Sequence, residues 1–502
     1  MECRHAGRCP GCPAIGLGTE AQLTAKAARL AGALGHFPHL PRASAIVGNP
    51  WREGYRHRLK LPVGREGGRV QLGLYADGRV VDTPDCPVLH PALRSALPPL
   101  ATWLVSRPEV HAVDLRVSAA TGDLQLVLAG HGGEVGGGGR ALRDLRNALP
   151  KLASVAVSRA DPEGKRVMGS APRWVAGAAT LRETVGPTSY ALTPGAFFQV
   201  DPRQAETLQR IVREGVGDAQ RVLDLYAGVG AYGLMLAQGR SRVVLVEEVP
   251  QAAEAARSMA PRNVTVLCGR VEDVELTGPF DAVILNPARR GSDPEVLARV
   301  AQLAPRLIYV SCGPETLARD LDALAFHGMR VRSITPIDLF PQTFEVETVV
   351  VLERGAPLTH VSVPGGQATG PWGGQPSGAV GKPRVATALV IGDPGAKGSL
   401  PGGRFTRVGR FATHALLRVE VTGSLVRALS ALAAKGHPLA GRDGRTRRFF
   451  AERAGLVRPF VHIDEADGAV APLHGDLVMA LDVLRRAPVA PRPVRSGRAK
   501  RR

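Results

Sequence analysis

A chain of 502 residues has room for about three domains and a large core. Its formal net charge of +19 and pI near 10.5 favour an anionic partner, with nucleic acid the commonest, while an aromatic content of 4% speaks against a stacking platform for long single strands. No long uncharged apolar run offers a membrane span, and three cysteines stand where a secretory leader would be apolar, so a cytoplasmic protein with no membrane partner is expected.

Cys3, Cys9 and Cys12 share a short loop relaxed by Gly7 and Gly11, and the next cysteine is Cys86. Four soft thiolates suit zinc or an iron-sulfur cluster, and the spacing alone leans to zinc. Residues 21–34 repeat apolar positions at helical spacing. Residues 55–63 then alternate as a strand with basic side chains on one face, a pattern a solvated edge strand would share. A hairpin is expected from 113–117 and 124–128 around Thr121-Gly122-Asp123, followed by a glycine-rich loop and a helix over 141–149. These alternating elements predict a mixed α+β domain before the main one.

From about Ala205 the pattern turns regular, with strands predicted at 221–226, 243–247, 264–268, 281–286, 306–311, 331–339 and 346–352. Helices starting near Ala231, Gln251, Pro294 and Glu315 separate most of them, which means βαβ units and a parallel sheet. The short connection between the last two predicts an antiparallel hairpin at one edge.

Chemistry concentrates at the carboxyl ends of these strands, where ligands collect in open α/β sheets. Asp224 and Tyr226 precede Gly228 and Gly230, whose backbone can approach a nucleotide-like ligand. Glu247 ends the next strand, placed to bind ribose hydroxyls. The carboxylate of Asp224 before the glycines favours a cationic ligand over a pyrophosphate, as in methyltransferases that use S-adenosylmethionine. Asn286 offers a donor and an acceptor to the edge of a base. Cys312 puts a thiol at a strand end, just before Gly313-Pro314 turns into a helix.

Four motifs stand in order: Asp224-Leu-Tyr-x-Gly-Val-Gly, Asn286-Pro-x-Arg-x-Gly, Tyr309-Val-Ser-Cys-x-Pro-x-Thr-Leu-Ala-Arg-Asp and Phe340-Pro-Gln-Thr-x-x-Val-Glu-Thr-Val. With Phe197-Phe-Gln-Val-Asp201 upstream, they resemble the RNA uracil-5-methyltransferase family over roughly residues 3–354. The cysteines, with Asp85-Cys-Pro-Val-Leu89, are similar to the iron-sulfur motif of its 23S ribosomal RNA branch. The resemblance implies a Rossmann-like class I methyltransferase domain with a mostly parallel seven-stranded sheet. It also implies Cys312 as nucleophile, Glu347 as base, and a cofactor site of Gln199, Asp224, Tyr226, Gly228, Gly230, Glu247 and Asn286. A 4Fe-4S cluster on Cys3, Cys9, Cys12 and Cys86, replacing the zinc reading, and a monomer acting on ribosomal RNA follow from it as well. Gly313, Ala288 and Glu345 depart from the family pattern, and no N-terminal β-barrel RNA-binding domain is expected.

The expected organisation is a cluster region over 1–90, an RNA-binding central domain over 91–200, the methyltransferase domain over 201–355, a Gly/Pro/Ser-rich linker over 356–384, a module over 385–490 and a basic tail over 491–502. The module resembles the C-terminal half of large-subunit pseudouridine synthases but lacks their His-Arg-Leu-Asp segment, so it is expected to be a noncatalytic α+β appendage. Competing readings are a tRNA uracil-5-methyltransferase, a retired RNA-binding or ribosome-assembly factor, and a nicotinamide oxidoreductase.

Overall fold

The computed structural model describes residues 1–35, 37, 40–131, 138–160, 168–239, 241–355, 360–363, 366–369, 384–391, 394–400, 403–410, 414–421, 432 and 461–464. They fall into two units, one of Met1–Gly32, Pro41–Pro314 and Met329–Arg354, the other of Ala33–Leu40, Glu315–Gly328 and Gly355–Arg502. No helix among the described residues is long and apolar enough to cross a membrane.

The first unit begins with α1 (Thr19–Leu34) and continues through β1 (Arg58–Glu66), β2 (Arg69–Ala76), β3 (Arg79–Asp82), α2 (Pro91–Leu104), β4 (Val110–Val117), β5 (Leu124–Gly130), α3 (Gly138–Ala148), β6 (Leu152–Arg159) and β7 (Arg173–Gly177). The seven strands form one sheet in the order β3-β2-β1-β4-β5-β6-β7. All its pairs are antiparallel except β5–β6, whose crossover carries α3. The β4–β5 hairpin is the one read from the sequence, with Val117 opposite Leu124. Because β1 pairs with β4, Leu59 opposite Leu115, this sheet runs straight through the boundary expected at 90/91. The basic strand lies inside the sheet rather than at an edge. Its Arg58 is buried in a bidentate pair with Asp114, Nε to Oδ1 at 2.8 Å and Nη2 to Oδ2 at 2.5 Å.

A hairpin of β8 (Leu181–Val185) and β9 (Thr188–Leu192) leads into α4 (Pro202–Val216), capped by Asp201, whose carboxylate accepts from the Arg203 N–H. There follow β10 (Arg221–Leu225), α5 (Gly233–Leu236), β11 (Arg242–Glu247), α6 (Pro250–Met259), β12 (Val264–Cys268), β13 (Ala282–Leu285), α7 (Pro294–Leu303), β14 (Arg306–Ser311), α8 (Pro314–Phe326), β15 (Met329–Ile337) and β16 (Glu347–Arg354). Their sheet has the order β12-β11-β10-β13-β14-β16-β15. The first five strands are parallel, and β16 enters antiparallel between β14 and the edge strand β15. Val222, Leu223, Val283, Ile284, Leu307 and Ile308 are all at 0% exposure, the near-continuous apolar run of strands covered on both faces.

The outer edge of β15 is covered by residues 44–47. Ser44 and Val47 donate backbone hydrogen bonds to Ile334 and Pro336, and Asp338 returns one to Val47, each 2.9 Å. The loop that follows β15 is tied to α1. Lys26 Nζ lies 2.5 Å from Asp338 Oδ1, both fully buried, and also donates to the Phe340 carbonyl at 3.0 Å. Gln22 and Gln342 exchange two hydrogen bonds at 2.9 Å. Leaving either charge of the Lys26–Asp338 pair alone would cost about 3–5 kcal/mol.

The described strands of the second unit are β17 (His360–Val363), β18 (Gly366–Thr369), β19 (Arg384–Ile391), β20 (Lys397–Leu400), β21 (Gly403–Arg410), β22 (His414–Val421) and β23 (Val461–Asp464), in the order β17-β18-β23-β19-β22-β21-β20 with every pair antiparallel. Two of them, β17 and β18, fall within the stretch expected as linker: backbone hydrogen bonds form the ladder there and do not depend on bulky side chains. The residues that carry the pseudouridine-synthase resemblance over 422–431, 433–453 and 458–460, and the basic tail, lie outside the described residues.

Candidate active site

A cavity of about 1480 Å³ opens at the carboxyl end of the parallel strands. Tyr226, Gly228, Glu247, Asn286, Cys312 and Glu347 line it, with Gln199 from the segment between β9 and α4. Seven residues from six separate stretches of sequence thus meet on one surface.

The turn after β10 shapes one wall. Tyr226 and Gly228 have φ of 61° and 58°, in the left-handed region that glycine accepts freely and tyrosine at a cost of about 1–2 kcal/mol. Backbone strain of this kind collects at ligand sites. Glu247 fixes the turn: its Oε2 accepts from the Gly228 N–H at 2.7 Å and its Oε1 from the Val249 N–H at 2.8 Å. Each oxygen keeps a second lone pair for a ribose hydroxyl. Asp224 and Gly230 do not line the cavity, in contrast to the sequence expectation. Asp224 is recessed behind the turn, fully buried, with Oδ2 accepting from the Gly233 N–H at 2.8 Å and Oδ1 without a hydrogen-bond partner among the described residues. Burial, reinforced by Glu247, pushes its carboxyl up to about 7. A Cβ at Gly233 would lie 2.0 Å from Leu245 Cδ2, so any larger residue there would force the buried Leu245 side chain to move.

Cys312 is half-buried on the bend after β14, where Ser311 Oγ accepts from the Gly313 N–H at 3.1 Å. Burial pushes its thiol up, the charge of Glu347 adds to this, and Arg289 opposes it. Glu347, at the start of β16 and 4% exposed, is pushed up to about 8 by burial, with Arg289 lowering and Glu345 raising. A thiol, a carboxylate of pKa near neutrality and a guanidinium acting on both therefore share the cavity. Such perturbed groups in one cleft mark a reaction site. Arg289 stood in the sequence as the arginine of the Asn286-Pro-x-Arg-x-Gly motif, with no role assigned to it; its place three residues after Asn286, beyond a strand end, was the available signal.

The opposite wall carries Phe197, 65% exposed, and Trp174, 49% exposed. Its backbone is held from the first sheet. Arg58 donates to the Ala196 and Gly195 carbonyls at 2.6 and 2.9 Å, and Arg116 donates to Ala196 at 2.6 Å. The basic strand thus positions the cavity wall from behind. Trp174 was not singled out from sequence and Phe197 stood only within the Phe197–Asp201 motif, because a lone Phe or Trp carries no signal of exposure.

Away from the cavity, Asp85 holds the N-terminal loop, at 2.6 Å from both Arg4 Nε and His5 Nε2. This draws Cys3, Cys9 and Cys12 toward Cys86. Burial first, then Cys86, Cys9 and Cys3, against Arg56, push the Cys12 thiol up to about 12. The four thiols are close enough to act on one another, yet among the described residues no three His, Cys, Asp or Glu side chains stand as a ready metal-ligand group.

A family model for tRNA (Uracil-5-)-methyltransferase matches residues 246–355, the span that holds Glu247, Asn286, Cys312 and Glu347. An uncharacterized RNA methyltransferase of Gloeobacter violaceus is 32% identical over 375 residues, covering 70% of this chain and 82% of that protein. One of Thermosynechococcus vestitus is 32% identical over 373 residues, covering 70% and 83%. Among solved structures, Pyrococcus abyssi tRNA (uracil-54, C5)-methyltransferase in complex with S-adenosyl-L-homocysteine matches with a TM-score of 0.58 at 26% identity, covering 68% of this chain and 86% of that one.

Proposed function

Since the chain belongs to the RNA methyltransferase family and matches its uracil-5 branch over residues 246–355, we propose that it methylates C5 of a uridine in ribosomal RNA through a covalent bond from Cys312. The observation that carries this reading is the meeting of Cys312, Glu347 and Arg289 in one cavity with the turn of Tyr226, Gly228 and Glu247. S-adenosylmethionine, when bound, supplies an electrophilic methyl group. Glu247 would hold the ribose, and the Gly228 turn would pass beneath the nucleoside. Asp224 would act from behind the turn, and Gly230 by letting the chain bend.

C5 of uracil is a poor nucleophile until C6 is substituted. The Cys312 thiolate adds to C6, the C5–C6 π electrons move into an enolate, and C5 takes the methyl carbon as its bond to sulfur breaks. Glu347 then removes the C5 proton, the C5–C6 double bond re-forms, and the thiolate leaves. Asn286 and Gln199 are placed to bind the base or the cofactor through their amides, and the exposed ring of Phe197 offers the base a stacking face.

The cysteine cluster supports the ribosomal reading. Four half-buried thiols, of which Cys12 and Cys86 are pushed up by burial and then by the neighbouring thiols, form a donor set suited to soft metal, and Cys3, Cys9, Cys12 and Cys86 would hold a 4Fe-4S cluster. Methyl transfer moves no net electrons, so the cluster would serve structure or RNA positioning. Anaerobically purified protein is expected to be brown and to carry iron and sulfide. Cys86→Ser should lose most of both, and a colourless, zinc-loaded wild type would count against the assignment.

A tRNA substrate is the second reading, favoured by the name of the matched Pyrococcus abyssi enzyme. Labelled S-adenosylmethionine incubated with undermethylated ribosomal RNA and with tRNA separates the two, and digestion to nucleosides should yield 5-methyluridine from ribosomal RNA. Label in tRNA alone would move the substrate, and binding of RNA without any transfer would leave an assembly factor. The module over 385–490 is proposed to be noncatalytic, adding RNA affinity.

A further inference from the structure

Methylation at a C–H position leaves one proton on Glu347 in every cycle, and Glu347 is 4% exposed. That proton must go before the base can act again. Residues two apart on an extended chain face the same way. Glu345 and Glu347 accordingly both line the cavity, while Val346 between them is buried at 0%. Glu345 differs from Glu347 in its access to water, with a side chain 37% exposed and held 3.3 Å from Arg29 Nη1. Arg29 also donates to the Phe344 carbonyl at 3.3 Å, and the Glu345 N–H donates to Thr343 Oγ1 at 3.2 Å, so both ends of the residue are fixed.

We propose that Glu345 carries the proton from Glu347 to solvent. The Glu347 carboxylic acid gives its proton to the Glu345 carboxylate, directly or through one cavity water, and Glu345 passes it to bulk water. Both groups end as carboxylates, the proton is the one taken from C5, and no electrons are transferred. Glu345 acts through Glu347 and does not touch the reacting atoms. Around Glu347 the charged and titratable neighbours are Arg289, Cys312 and Tyr232 as well as Glu345, and Arg29 and Lys26 face Glu345. The inference rests on the uracil-C5 reading above.

Burst and steady-state methyl transfer across pH, in wild type, Glu345→Gln and Glu345→His, tests it. In Glu345→Gln the steady-state rate should fall roughly tenfold further than the first turnover, and imidazole or formate in the buffer should restore it. Loss of a negative neighbour lowers the pKa of Glu347, so the acid limb of the pH profile should move to lower pH by about half a unit to one unit. Glu345→His, which titrates, should recover much of the rate without added buffer. Equal loss in both phases without rescue would assign Glu345 a structural role and overturn the proposal, as would unchanged rates with an unshifted profile. S-adenosylhomocysteine binding by each variant verifies the fold. A wild type that methylates no RNA would instead sink the parent reading, so the two failures are distinct.

Discussion

Cys312→Ala is expected to lower methyl transfer by at least about 10⁴-fold, because the substitution removes the nucleophile of the proposed mechanism and no later step of that mechanism proceeds without it. The loss should appear in kcat. Binding of S-adenosylhomocysteine should change little, since the turn of Tyr226, Gly228 and Glu247 is built without the thiol. Filter-bound label from S-adenosylmethionine measures the effect, and turnover within tenfold of wild type would remove Cys312 from the mechanism. The thiol's pKa is raised by burial and by Glu347. Wild-type activity should therefore climb as pH rises, to the extent that forming the thiolate limits the rate.

Glu347→Gln should give the opposite signature at the same bond. The amide cannot take the C5 proton, so methylation proceeds but the sulfur–C6 bond persists, and turnover falls by roughly 10²- to 10⁴-fold while a methyl-labelled protein–RNA adduct accumulates on denaturing gels. Release of methylated RNA at the wild-type rate, without adduct, would give the proton to another group. The substitution also carries a stability test. The folded pKa of Glu347, about 8, lies above its ordinary value of 4.5. The wild type thus gains stability from this group below about 4.5 and loses it as pH rises through about 8. Glu347→Gln should flatten thermal stability across that window.

The seven strands from 221 to 354 were legible because buried parallel strands are written in Val, Ile and Leu runs broken by helices. The residues those strand ends present, Cys312 and Glu347 included, followed from the same pattern and the motif order. What stayed hidden depends on long-range contact. Pro98 and Pro99 obscure α2, since prolines argue against a helix until packing overrides them. The strand β2 carries Arg and Gly, and β3 is four residues long and ends in Asp, so both resemble loops. Arg58 belongs to a strand whose basic face a solvated edge would share, yet the fold buries it, together with Arg116, to hold a cavity wall. Asp224 reads as a ligand carboxylate at the cavity, and its full burial and hydrogen bond from the Gly233 N–H, which set it behind the turn, depend on packing that the sequence does not display.

The tie between α1 and the loop after β15 bears on how this protein can be cut and borrowed. The parallel sheet starts at residue 221, but its edge is sealed by residues 44–47, and Asp338 finds its counter-charge on Lys26, 312 positions earlier. A fragment beginning at 201 would inherit an open strand edge and a buried anion with no cation. Recombination that swaps the front of the chain must therefore bring a matching helix with it. The parallel sheet and the leading segment thus pack as one unit.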